Sequence, residues 1–133
     1  KLDFESVAAA GSMLGSGGVT VMEEGTDMVW AALRLMEFFY HESCGKCSPC
    51  REGSSWLVQT MRRIVAKRGQ MEDLETLVHL CKNIEGRTVC AFGDASVAPI
   101  MSTLKHWRPE YVALIQAAEA ANLIKLEPAS VRH

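Results

Sequence analysis

The sequence has no uninterrupted apolar run long enough to cross a membrane. Its most apolar stretch, residues 28–40, is interrupted by Arg34 and Glu37, whereas a spanning helix needs about 18 or more apolar residues in a row. The first residues also lack the sustained apolar core and cleavage site of a signal peptide, because Asp3 and Glu5 lie among them. We therefore expect no direct membrane insertion and a cytoplasm-like compartment.

The sequence also lacks an excess of either charge. Its 14 Lys and Arg residues stand against 16 Asp and Glu residues, which gives a formal net charge of -2. This balance provides no broad basic surface, so we expect no nucleic acid partner. With 133 residues, of which 48% are hydrophobic, the chain is long enough to enclose the core of one domain of ordinary size.

An even number of cysteines, typical of a disulfide framework, is missing as well. The five cysteines are Cys44, Cys47, Cys50, Cys81 and Cys90, and the first three lie within seven residues of one another. Closely spaced thiols in a reducing compartment more often bind metal than form disulfides.

The chain divides into an opening segment, a helical region and a tail. Half of the ten glycines lie in residues 1–25, which we interpret as strand and turn, with Val19–Met22 as the strand. From Thr26, a possible N-cap, apolar residues recur every three or four positions, which predicts helices. Residues 127–133 contain Pro128 and few apolar side chains, and are predicted to form a loose tail.

Five helices are predicted between residues 26 and 126. The first follows Thr26, the second begins near Pro49 with Ser48 as its cap, and the fifth begins at Pro109. The third and fourth cover about 71–83 and 96–107. The fold class is therefore mainly α, a bundle of four or five helices. Apolar stripes place Trp30, Trp56 and Trp107 in the core or at a subunit interface.

Cys44, Cys47 and Cys50 form a C-x2-C-x2-C motif. Three thiolates at this spacing can bind one face of a cubane [4Fe-4S] cluster, with a fourth ligand from elsewhere in the chain. Cys90 lies in an irregular segment between predicted helices, where ligands are commonly found. Cys81 continues an apolar helical stripe instead, which favours Cys90 as the fourth ligand.

Other kinds of site remain possible from these residues alone. A structural zinc ion could use four cysteines, although zinc modules usually supply their ligands as two spaced pairs. A catalytic thiol would need a positioned histidine, and no such pair is evident. His41 could bind metal, but its position at the end of a helix is more typical of a helix-end cation.

The motif also resembles a known family. The segment from His41 to Gly53 reads HESCGKCSPCREG, and it is similar to the cluster-binding motif of the NADH-binding flavoprotein subunit of respiratory complex I, the NADH:quinone oxidoreductase. The resemblance extends through residues 13–22, 84–90 and 100–108, and so covers nearly the whole chain.

The resemblance implies a function and a set of partners. It implies that Cys44, Cys47, Cys50 and Cys90 bind a [4Fe-4S] cluster, which takes single electrons from FMN reduced by NADH and passes them toward quinone. It implies that FMN and NAD bind in another domain of the same subunit, so this segment alone would be part of an oxidoreductase without catalytic residues of its own.

The resemblance also implies neighbours and a location. The expected partners are that FMN/NADH-binding domain, a thioredoxin-like 2Fe-2S subunit and a large iron-sulfur subunit. Residues 1–25 would be the end of a ubiquitin-like β domain, and the whole would lie in a peripheral arm on the cytoplasmic or mitochondrial matrix side of a membrane. A related diaphorase subunit of an NAD-linked hydrogenase or formate dehydrogenase is the alternative function, and a zinc-stabilised interaction domain is the alternative of another class.

Overall fold

The chain is mainly helical, as predicted. The computed structural model describes residues 1–120, and the predicted tail at 127–133, with residues 121–126 of the helical region, lies outside them. The helices of the described residues are α1 (Phe4–Ala9), α2 (Met28–Glu42), α3 (Ser48–Val65), α4 (Glu72–Ile84), α5 (Ala91–His106) and α6 (Arg108–Ala120). None of these helices is long and apolar enough to span a membrane.

Helices α2 to α5 form a four-helix bundle. α2 packs on α3 and α5, α4 packs on the same two helices, and α6 packs across α3, α5 and α2. Short connections make consecutive helices antiparallel. The carboxyl ends of α2 and α4 and the amino ends of α3 and α5 therefore meet at one end of the bundle.

The buried faces of the helices are narrower than the sequence predicts. Leu57, Met61 and Ile64 of α3 are fully buried, as expected, and so are the predicted inward residues of α2 from Val29 to Met36. Leu35 and Phe38 are 45% and 56% exposed, because α3, α5 and α6 cover only one side of α2.

The three tryptophans are also partly exposed rather than buried in the core. The exposed fractions of Trp30, Trp56 and Trp107 are 52%, 53% and 38%. The prediction that they belong to the core is wrong for this chain, which leaves a subunit interface as their remaining predicted role.

Several helix starts differ from the predicted positions. Asp27, not Thr26, caps α2, since its carboxylate accepts a hydrogen bond of 2.8 Å from the Trp30 N–H. α3 is capped at Cys47 instead of Ser48, and α5 begins at Ala91 rather than near residue 96. The early start of α5 was hidden because Gly93 is a poor helix former; it is buried against Thr88, and this packing outweighs its low propensity.

The predicted strand at Val19–Met22 is wrong. These residues are irregular, Phe4–Ala9 is a short helix, and no strand occurs anywhere in residues 1–120. A strand requires a neighbour that accepts and donates its backbone hydrogen bonds, and the described residues provide none. The assignment of residues 1–25 to a ubiquitin-like domain stays a prediction.

An ion pair ties α3 to the start of α4. The Arg63 Nε donates to Asp73 Oδ2 at 3.0 Å, and a second guanidinium nitrogen donates to Asp73 Oδ1. The Gln70 N–H also donates to Asp73 Oδ2, at 2.8 Å. Asp73 is only 5% exposed, so the carboxylate depends on these three donors for the hydrogen bonds that it loses from water.

We expect Asp73→Asn to lower the free energy of unfolding by about 2 kcal/mol, because a neutral amide presents a donor to Arg63 and loses the charge-assisted bonds. Glu72→Gln is the matched control: Glu72 is the exposed neighbour in the same helical turn, and its change should stay within about 0.5 kcal/mol. Urea unfolding of the two variants measures both values, and equal stabilities would contradict the proposed weight of the ion pair.

Cys81 belongs to the bundle core, as its helical stripe predicts. It is 1% exposed, and burial, with a smaller contribution from the Glu85 carboxylate, raises the pKa of its thiol to about 12. The folded chain therefore keeps this proton at pH values at which an unfolded thiol, with a pKa near ~8.5, has released it. The resulting stabilisation is fully present below about pH 8.5 and is lost as the pH rises toward 12.

We expect the free energy of unfolding of the cluster-free chain to fall with pH between 9 and 11, with Cys81 contributing a slope of about 1.4 kcal/mol per pH unit. Cys81→Ala removes that contribution, so its stability should decline less steeply over the same range. Denaturant titrations at several pH values give both slopes; parallel curves would show that the Cys81 proton is not retained in the folded state.

Candidate metal-cluster site

Two loops at one end of the bundle carry four cysteines. The loop between α2 and α3 supplies Cys44 and ends at Cys47, the N-cap of α3, and Cys50 lies in the first turn of that helix. The loop between α4 and α5 ends at Cys90, the N-cap of α5. The antiparallel bundle thus brings a residue that is forty positions away in sequence next to the C-x2-C-x2-C motif.

All four cysteines line one cavity of about 170 Å³. Its other lining residues are Glu42, Ser43, Lys46, Thr88, Phe92 and Gly93. Cys44 and Cys90 are exposed at its mouth, whereas Cys50 is buried. Cys81 lies in the hydrophobic core and is not part of this lining.

The starts of two helices give the cavity a positive electrostatic character. Cys47 and Cys90 occupy N-cap positions, where serine or aspartate normally accepts a bond from the helix, yet neither thiol makes such a bond. Free backbone N–H groups and the helix dipole favour negative charge at this position. Two such helix ends, with Lys46 in the lining, suit an anionic group bound by thiolates.

Two hydrogen bonds reach the cysteine sulfurs directly. The Val89 N–H donates to Cys47 Sγ at 3.4 Å, and Ser43 Oγ lies 3.3 Å from Cys50 Sγ. The sequence motif did not single out either group as functional. A backbone donor leaves no residue-type signal, and Ser43 could have been noticed only through its position next to Cys44.

Arg51 and Arg87, predicted to lie near the cluster, occupy different surroundings. The Arg51 guanidinium donates to the Gly45 carbonyl at 2.9 Å and to the Glu52 carboxylate at 2.8 Å, so it folds over the loop between Cys44 and Cys47. Arg87 instead lines a separate groove between α3 and α4. Arg51 therefore helps to shape the cysteine loop, whereas Arg87 is not part of the cavity lining.

The loop that carries Cys90 is fixed by contacts with the start of α5. The Gly86 N–H donates to Asp94 Oδ1 at 2.7 Å, and Thr88 Oγ1 donates to the Cys90 carbonyl at 2.9 Å. A Cβ on Gly93 would overlap the Thr88 side chain, so glycine permits this close approach. These contacts set the position of Cys90 relative to the other loop.

His41 takes no part in the cavity. Its ring lies 2.8 Å from the Glu42 carboxylate on the exposed side of α2, and it is not among the lining residues. Within residues 1–120, no three His, Cys, Asp or Glu side chains are gathered closely enough to hold a single metal ion. The four thiols surround a wider space instead.

The residues present fit an iron-sulfur cluster. The donor set consists of four soft thiols, which are the ligands that such clusters prefer. Hydrogen bonds to two of the sulfurs and two helix amino ends compensate for negative charge. The cavity between the two loops leaves room for a group larger than one ion.

Comparison with known proteins points to the same chemistry. The curated relatives include the second F subunit of the NADH-quinone oxidoreductase of Rhizobium meliloti, which is 55% identical over 115 residues, or 86% of this chain and 27% of the relative. The F subunit of the corresponding enzyme of Streptomyces coelicolor is 53% identical over 110 residues, or 83% of this chain and 24% of the relative. The chain thus spans about a quarter of the length of these relatives.

A solved structure shares the fold. It is described as an NAD+-reducing [NiFe]-hydrogenase in the H2-reduced state, and it matches with a TM-score of 0.69 and 29% identity over 77% of this chain and 20% of the hydrogenase chain. Residues 30–114 match the family described as the NADH-ubiquinone oxidoreductase-F iron-sulfur binding region. That range contains both cysteine loops and most of the bundle, and the chain belongs to this family.

Proposed function

We propose that Cys44, Cys47, Cys50 and Cys90 bind one [4Fe-4S] cluster and that this chain carries single electrons within an NADH:quinone oxidoreductase. The observation that carries the proposal is the common cavity: four thiols from two loops line one space at the same end of the bundle. When bound, the cluster would supply one-electron redox chemistry, accepting electrons from reduced FMN and passing them toward quinone.

The protein's own residues hold and tune this group. The three cysteines of the first loop and Cys90 of the second supply the ligands, and Asp94 and Thr88 fix the second loop at the required distance. The Val89 N–H and the amino ends of α3 and α5 favour added negative charge in the cavity, which favours the reduced state.

The rest of the subunit and its partners are inferred from the family. We infer that NADH oxidation and the FMN and NAD sites belong to another domain of the same subunit, because this chain corresponds to about a quarter of its relatives. The proposed neighbours are a thioredoxin-like 2Fe-2S subunit and a large iron-sulfur subunit. The exposed apolar side chains Trp30, Phe38 and Trp56 provide surfaces of the kind that such partners cover.

The location and the opening segment are proposed on the same basis. The chain would belong to a peripheral arm of a membrane complex, on the cytoplasmic or mitochondrial matrix side. Residues 1–25 would be the end of a ubiquitin-like domain, in which a preceding strand could supply the backbone partner that Val19–Met22 lacks here.

A diaphorase subunit of an NAD-linked hydrogenase is the second candidate. The specific observation in its favour is the structural match to the NAD+-reducing [NiFe]-hydrogenase. The two functions share the proposed cluster and differ in the electron acceptor. The higher identity to the quinone-linked relatives favours the first candidate.

A zinc-stabilised interaction domain is the third candidate, and the geometry favours it less. A zinc ion draws four sulfurs to about 2.3 Å from one point. The described residues contain no such tight group of three or more potential ligands. The thiols instead surround a cavity of about 170 Å³.

We expect Cys90→Ala to abolish the paramagnetic [4Fe-4S] signal of the dithionite-reduced chain after anaerobic reconstitution, because only three ligands would remain. Cys81→Ala is the matched control: it removes a thiol from the core, outside the cavity lining, and should keep the signal. Electron paramagnetic resonance of both variants decides between the two cysteines. Loss of the signal in Cys81→Ala with its retention in Cys90→Ala would refute the ligand assignment.

A further inference from the structure

Ser43 links the end of α2 to the buried sulfur of the cavity. It is the C-cap residue of α2, and its hydroxyl oxygen lies 3.3 Å from Cys50 Sγ and 3.4 Å from the Gly45 nitrogen. The backbone of Ser43 is extended, with φ -62° and ψ 124°, which turns the side chain from the end of the helix toward the start of α3. Ser43 also belongs to the cavity lining.

The direction of the two hydrogen bonds follows from the number of protons. A serine hydroxyl has one proton to donate and two lone pairs that accept. The Gly45 N–H uses one lone pair, so the hydroxyl proton is free. A cysteine that binds metal does so as a thiolate, which has no proton, and Ser43 must then be the donor to Cys50 Sγ.

Cys50 is the sulfur for which such a donor matters most. Cys44 and Cys90 are exposed, so water can donate hydrogen bonds to them, whereas Cys50 is only 8% exposed. A buried anionic sulfur without a donor is destabilised more than a hydrated one. The Ser43 hydroxyl thus occupies a place that water has little access to.

We propose that Ser43 is a positioning and tuning residue of the cluster site: its hydroxyl, held by the Gly45 N–H, donates to Cys50 Sγ and raises the reduction potential of the bound cluster. The inference rests on the proposed function, since it requires Cys50 to be a ligand. Reduction adds one negative charge to the cluster and its sulfurs, so the hydrogen bond is stronger in the reduced state than in the oxidised state.

The test is a potentiometric titration of the anaerobically reconstituted full chain, followed by electron paramagnetic resonance. Ser43→Ala should disfavour reduction about tenfold, which corresponds to a midpoint potential about 59 mV more negative for a one-electron couple. Ser43→Thr keeps a hydroxyl and should restore most of the potential. Ser48→Ala is the matched control, because it removes a hydroxyl inside the same motif from a residue outside the cavity lining.

The outcomes separate this inference from the proposed function. Ser43→Ala with a full cluster and an unchanged potential would overturn the role of Ser43 and leave the cluster assignment intact, and an equal shift in Ser48→Ala would do the same. A wild-type chain that takes up no iron and sulfide would overturn both.

A variant that cannot retain the cluster calls for a measurement on the wild-type chain. If Ser43→Ala loses its cluster, resonance Raman spectra of the wild-type chain in H2O and D2O test the same bond. A shift of an iron–cysteine sulfur stretching band on deuteration supports the hydroxyl donor, provided that it disappears in a Ser43→Gly chain or changes in Ser43→Thr. Identical spectra in the two solvents would overturn it.

Discussion

The antiparallel order of α2 to α5 is the constraint on which the site depends. It places the α2–α3 and α4–α5 loops at one end of the bundle, so that Cys90 reaches the cavity lined by Cys44, Cys47 and Cys50. The same order brings the amino ends of α3 and α5 together, where both N-cap residues are cysteines. One arrangement of helices therefore supplies the proposed ligands and an environment that favours negative charge. The apolar contacts of the core maintain that arrangement, and the Arg63–Asp73 ion pair adds to it.

The four proposed ligands differ in their access to water, and this difference gives the surrounding groups separate tasks. Cys44 and Cys90 can be hydrated, whereas Cys47 receives the Val89 N–H and Cys50 lies against Ser43. Hydrogen bonds and solvent exposure are among the factors that set the potential of an iron-sulfur cluster. The cavity is thus able to stabilise added charge mainly on its buried side. The exposed side faces outward, together with apolar side chains such as Trp56 that are suited to contact with other parts of an electron-transfer complex.

Much of the site could be predicted from the sequence, because spacing and residue type carried the information. The C-x2-C-x2-C motif identified three thiols, and the helical stripe of Leu74, Leu77 and Cys81 correctly placed Cys81 in the core. The early start of α5 could not be predicted, since Gly93 lowers helix propensity and its close contact with Thr88 depends on tertiary packing. The strand at Val19–Met22 was wrong because strand formation depends on a partner, which the local pattern does not reveal. The exposure of Trp30 and Trp56 likewise depends on which neighbours cover α2 and α3.

The proposed function requires that the thiols of both loops share a single iron-sulfur cluster. The most direct test is the content of iron, acid-labile sulfide and zinc per chain after anaerobic purification, measured together on the same sample. One [4Fe-4S] cluster requires four iron and four sulfide per chain and no zinc. One zinc per chain with no sulfide would contradict the cluster and favour a structural zinc site.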